Sequence, residues 1–267
     1  MLMKLIKHEF RATLRVMLPL YLLLIATSFG AKAAVSGLLE TEFALVDILA
    51  SLLVVAFAVT MAAVCLMSVF LMVHRFYSNL LRDEGYVMLT LPVSVHQHVW
   101  SKLLVGVVWC GATVLVVCAA LFILVFNLEL VEGMVRGFGD VVKYFWAEFG
   151  VDGALGIVEV LMVCFCAACS MFLKFYAALA IGHSFSDHKL VWSIGAYLGM
   201  DFVTSLGTGL LMTLLDLAGV PDVLPSLPDA VWAGHVTLWF AAIWSALAAA
   251  MYYAITVWFM KHKVNLD

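Results

Sequence analysis

Six uninterrupted apolar stretches constrain this chain more than any other feature: roughly residues 18–39, 45–73, 103–128, 154–173, 191–215 and 236–260. A bilayer core of about 30 Å takes about 20 apolar residues in a helix, so each stretch is long enough to span. The second, third and sixth are nearly or wholly free of charge beyond Asp47 at an edge. Lys32 interrupts the first, and its ammonium is expected to snorkel to the nearer surface. Composition agrees: 66% of the 267 residues are hydrophobic and 12% charged, whereas soluble domains are about half apolar and a quarter charged. A water-soluble fold of this size would expose large apolar patches. The expectation is an all-α polytopic membrane protein, one transmembrane domain over 1–267 with six transmembrane helices. No basic stripe is interleaved with stacking aromatics, which argues against nucleic acid as a partner. A basic stretch, an apolar stretch and "AKA" (31 to 33) imitate a secretory signal. The length of the segment, Glu9 and its helical patterning favour an uncleaved span instead.

Orientation follows from the cations that flank the spans. Lys4, Lys7, Arg11, Arg15, Arg75, Arg82, Lys102, Lys174, Lys189, Lys261 and Lys263 fall on one side, and Lys32, Arg136 and Lys143 on the other. This places both termini and the segment 74–102 in the cytosol. Residues 1–17 read as an amphipathic helix, with Lys4, Lys7, His8, Arg11 and Arg15 within an arc of about 100°. Leu2, Ile6, Phe10 and Met17 lie opposite, as suits a helix in the headgroup plane. Glu9 sits on the apolar side, so it needs a backbone or cationic partner in the bundle.

The outer loops cover 130–153, with the interfacial aromatics of "VVKYFWAEF", and 218–235. The second holds three prolines in "GVPDVLPSLPDAVWAGH", which prevent one continuous helix. A re-entrant element and an ordinary loop both satisfy that constraint. The six cysteines lie in apolar runs; in "CFCAAC" (164 to 169) helical spacing separates Cys164 from Cys166 and Cys169, and no His or acid lies near. They read as packing residues, and no metal site is expected.

Inside the fifth span Tyr197, Asp201, Thr204, Ser205 and Thr208 share a face about 100° wide. A carboxylate that deep must face the bundle or an aqueous path, so the stripe is either a pathway or a helix contact. Gly195 and Gly199 form a small-xxx-small pair suited to close helix approach. Glu159 lies near the outer end of span four, where local hydration would serve it. No hydrolytic constellation is present: "HEFRA" (8 to 12) lacks the second His of H-E-x-x-H, His96 and His98 diverge on a helix, and His183 and His188 flank Asp187 without a third ligand.

Between spans two and three, residues 74–102 allow one or two short helices, too little for a catalytic domain. Pro92 ends or redirects a helix, and Gly85 offers a turn after Asp83 and Glu84. Charges at one end and "YVMLTLP" at the other suit docking on a protein groove. The stretches "KHEFRATLRVMLPLY" (7 to 21), "RFYSNLLRDEGYVMLTLPVS" (75 to 94), "IGHSFSDHKL" (181 to 190) and "KHKVNLD" (261 to 267) resemble the six-span permease subunits of bacterial ABC transporters of the type 2 exporter class, those common in Gram-positive gut bacteria. The resemblance implies that residues 1–17 are an interface helix. It implies that 79–94 is a coupling helix seated on an ATPase subunit, with Asn79, Arg82, Asp83, Glu84, Gly85, Tyr86, Leu89 and Pro92 as its working residues. His183, Asp187, His188 and Lys189 would make a second cytosolic contact. It further implies a second permease copy, and ATP and Mg on the partner rather than a cofactor here.

The chain contains no G-x-x-x-x-G-K-[ST] phosphate loop, so on this reading it is no enzyme itself. Two other classes stay open: a self-contained ion-coupled carrier using Asp201, and a non-transporting immunity or sensor component. Weak internal symmetry counts against the carrier.

Overall fold

The computed structural model describes residues 2–36, 44–81, 94–126, 133, 137, 139–140, 143–185, 187–217 and 230–262. Among them there is no strand. Six long helices dominate: α1 (Leu2–Val35), α2 (Ala44–Leu81), α3 (Val95–Val125), α4 (Gly150–Gly182), α5 (Lys189–Leu217) and α6 (Ala230–His262). All six are long and apolar enough to cross a membrane. Helices are the economical answer here, because the hydrocarbon offers no hydrogen-bond partners and a helix satisfies its own backbone.

The chain divides into two compact units, Met1–His74 with Trp100–Gly139, and Arg75–Val99 with Asp140–Asp267. In the first, Leu24 and Ala31 of α1 pack with Phe57 and Val64 of α2 and Ala120 of α3. A ladder of polar contacts then ties α1 to α3. Lys102 Nζ donates to Glu9 Oε1 at 2.7 Å, with both side chains buried. Trp109 Nε1 donates to Thr13 Oγ1 at 2.8 Å, and the Trp109 ring stacks on Phe10 at 4.9 Å. Tyr21 and Thr113 share a hydroxyl–hydroxyl bond of 2.7 Å. Lys32 Nζ donates to the Phe126 carbonyl just past the end of α3, where a cation meets the unpaired carbonyls of the helix terminus. The partners climb together along both helices, so α1 and α3 run parallel, as first and third spans of an alternating path must.

Two expectations change. Residues 2–17 and the first span are one helix, and Pro19 sits inside it. Lys4, Lys7, His8, Arg11 and Arg15 are exposed as the amphipathic reading requires, but the buried stripe runs through Glu9, Thr13 and Met17. Leu2, Ile6 and Phe10 stay at least partly exposed. Glu9 does find its cation, and that cation is Lys102, which flank-counting treats as a loop charge.

In the second unit α4 packs most extensively on α6 and next on α5. Phe76 at the end of α2 stacks face to face on Tyr176 of α4, with centroids 4.0 Å apart.

A buried ion pair stripped of one partner leaves an unpaired charge, which costs about 3–5 kcal/mol. Lys102→Met should therefore lower thermal stability of the purified chain sharply. Adding Glu9→Gln should recover most of the loss, and no recovery in the double variant would mean that Lys102 acts through packing alone.

Candidate functional site

The segment that the sequence marks out, Arg82–Val93, lies outside the described residues, and with it Arg82, Asp83, Glu84, Gly85, Tyr86, Leu89 and Pro92. Its two roots are described, and both are tied into the second unit. On the α2 side, Leu80 and Leu81 are buried, Phe76 stacks on Tyr176, and Tyr77 meets His183 edge-on at 5.2 Å. Asn79 is half-buried in the same turn. On the α3 side, His96 Nδ1 bonds the Tyr253 hydroxyl at 2.6 Å, and Lys261 Nζ donates to His96 Nε2 at 3.1 Å. His98 and Val99 are buried one turn on. One root thus grips α4 and the other grips α6. The loop expected over 74–102 is correspondingly shorter, because α2 continues to Leu81 and α3 starts at Val95.

The 181–190 turn lies against the first root. Its pivot is Gly182. A Cβ there would lie 1.9 Å from Ser193 Oγ and 2.6 Å from the Lys189 carbonyl oxygen, so only glycine lets α5 start this close to the end of α4. His183 is 3% exposed and donates from Nδ1 to the Leu179 carbonyl at 2.9 Å. Burial pushes its pKa below the usual histidine value, and Lys189 adds to the fall, while the Leu179 bond opposes it. His188 takes a left-handed φ of 53°, a strained conformation for a side chain with a Cβ. Among the described residues of the turn, Asp187 and His188 are exposed, as are Phe185 and Leu190, and Lys189 is half-buried. His183 is an internal brace.

Within the fifth-span stripe, Asp201 Oδ1 accepts from Lys174 Nζ at 2.6 Å. Lys174 also lies 5.5 Å from the Tyr197 ring centre and 5.9 Å from that of Tyr252, so one ammonium joins α4, α5 and α6. α4 continues past Lys174 to Gly182, so this flanking charge lies within a helix and is tied to its neighbour. Thr204 and Thr208 bond back to carbonyls of their own helix, at Met200 and Thr204, and Ser205 is exposed. The stripe splits into a cross-helix pair at Asp201 and self-satisfied hydroxyls beyond it. At Gly195 and Gly199 a Cβ would meet no atom within 4 Å, so the close approach expected there is not made among the described residues.

Glu159 departs from the hydrated reading too. It is buried, and its Oε2 is 2.6 Å from His235 Nδ1. The sequence signal was available, an acid and a histidine each one to three turns inside a helix N-terminus, but 76 residues separate them. All six cysteines are free, and no cluster of three or more metal-ligating side chains occurs among the described residues. No family model, curated protein or solved structure matches the chain.

Gly182→Ala should destabilise the α4–α5 turn by about 1–3 kcal/mol, the usual cost of overpacking, read as a lower unfolding temperature. For His183 the sign is fixed by a folded pKa below 6.5. Stability is whole above that value and is lost as pH falls through it towards the folded pKa, because the unfolded chain takes up the proton first. Unfolding temperature measured from pH 7.5 to about 5 should fall, and His183→Gln should flatten the profile.

Proposed function

We propose that the chain is the membrane-spanning permease subunit of an ABC-type exporter, forming half of a translocation pathway with a second permease copy. On this reading both termini and residues 82–93 face the cytosol of a bacterium. There the segment docks on a separate ATPase subunit that holds ATP and Mg. The observation that carries the reading is the anchoring of the two roots. A push on 82–93 reaches α4 through Phe76, Tyr77 and the Tyr176–His183 stretch, and α6 through His96, Tyr253 and Lys261. Stacked rings and hydrogen bonds at both roots would pass a displacement arriving there to two spans. Nucleotide-driven closure of paired ATPases would displace 82–93, and α4 and α6 would move with it.

The carrier alternative needs Asp201 as an ion or proton site. Its salt bridge to Lys174 neutralises the charge that such a site would offer, so the permease reading is preferred.

Reversing Asp83 and Glu84 to lysine should leave membrane insertion intact while abolishing co-purification with the ATPase subunit or transport-coupled ATP hydrolysis. His96→Ala together with Tyr253→Phe should retain ATPase binding but lower coupling. Normal coupling in the charge-reversed protein would refute the docking role, and transport by the chain alone in proteoliposomes under an ion gradient would restore the carrier.

A further inference from the structure

The pair Glu159–His235 lies near the N-terminal ends of α4 and α6, and two open clefts flank it. One, of about 410 Å³, is walled by Phe145, Phe149, Ile157 and Leu238. The other, of about 520 Å³, is walled by Leu155, Trp232, Trp239 and Phe240. Asp152 and His235 line both. Each volume falls in the range that holds small organic ligands. We propose that these clefts form a binding site for an organic ammonium ion, a protonated amine carrying an apolar body. The inference does not depend on the transport reading.

Every recognition element there favours a cation. Asp152 is an exposed carboxylate with no ion-pair partner among the described residues. Glu159 supplies a second acidic side chain beside the one histidine. With Glu159 ionised, neutral His235 donates from Nδ1 to Oε2, which fixes the tautomer and leaves a lone pair on Nε2. That nitrogen is buried and finds no hydrogen-bond partner among the described residues. Such an atom is rare enough to require an explanation, and an ammonium N–H would supply one once a small shift of the neighbouring side chains opens Nε2 to the cleft. Aromatic rings complete the set, since their faces attract cations, all the more where water is displaced.

Local backbone chemistry builds the walls. The chain over 143–148 is helical, and Gly150 at φ 49° redirects it into α4. At Gly153 a Cβ would lie 2.5 Å from Phe145 Cζ and 2.7 Å from Phe149 Cβ, so the glycine lets both residues fold down onto α4. At Gly156 a Cβ would come within 3.9 Å of His235 Cε1, an ordinary contact that a larger side chain would turn into a plug.

The test uses the full chain in lipid nanodiscs with three probes of one shape: phenylbutylamine, its N-trimethylated analogue and phenylbutanol. Calorimetric titration should show saturable binding of the amine, with the alcohol weaker by about tenfold or more, the worth of one charge-assisted contact. Asp152→Asn should weaken both cations by about tenfold. His235→Phe should weaken the amine more than the trimethylated probe, which has no N–H for Nε2. Gly156→Leu should block both cations while leaving Asp152 and His235 in place. Asp152 is exposed, so its variant should melt like the parent and report binding rather than folding. Equal binding of amine and alcohol would reveal apolar partition only and overturn the proposal. So would absence of saturable amine binding, or full affinity in a normally folded Asp152→Asn protein.

Discussion

In a hydrocarbon medium a charge must bring its own partner, and that constraint organises the described helices. Glu9 has Lys102, Lys174 has Asp201, and Glu159 has His235. Lys32 reaches the carbonyl just past the end of α3. Each contact joins different helices, so each sets a register that apolar packing leaves loose: leucines slide past one another at little cost, whereas an ion pair moved by one turn is broken. The parallel course of α1 and α3 follows from such contacts. So does that of α4 and α6, where Glu159 meets His235 and, further along, Lys174 lies over Tyr252.

The same logic separates residues that hold the fold from residues free to act. Glu9 and Lys102 are buried, hydrogen-bonded and consumed by structure. His183 is likewise spent as a brace under the α4–α5 turn. Asp187, His188 and Asp152 are exposed, and those are the places where a partner or ligand can gain binding energy without first breaking something inside.

Much of this was legible in the sequence, for a physical reason. Spanning requires a long apolar run, and such runs are visible without any knowledge of contacts. The need of Glu9 for a partner also followed. The identity of that partner did not follow, because Lys102 is 93 residues away and periodicity says nothing of which faces meet. The Lys174–Asp201 and Glu159–His235 pairs were hidden in the same way. Gly182 was missed for a different reason: its role depends on the return path of α5, while Gly195 and Gly199, with the better motif, face open space.

The largest discrepancy, where helices end, carries its own consequence. Apolar runs stop where lipid stops, but a helix stops only where its hydrogen bonds do. The second run ends near residue 73 and α2 at Leu81; the third begins near 103 and α3 at Val95; the fourth ends near 173 and α4 at Gly182. At 1.5 Å per residue each helix projects about 12 Å beyond its apolar run. The fifth and sixth runs show almost no such excess at their corresponding ends, Lys189 and His262. The extra turns thus fall on α1, which begins at Leu2 against an apolar run from about residue 18, and on the helices that carry 82–93 and 183–188, within which Phe76, Tyr77 and Tyr176 pack. A helical extension braced by stacked rings transmits displacement over that distance, where a loop of equal length would absorb it. Lys102 and Lys174 lie at the bases of these extensions, each locked to a carboxylate on a neighbouring helix. The charges that a flank count assigns to orientation are thus also ties between neighbouring helices.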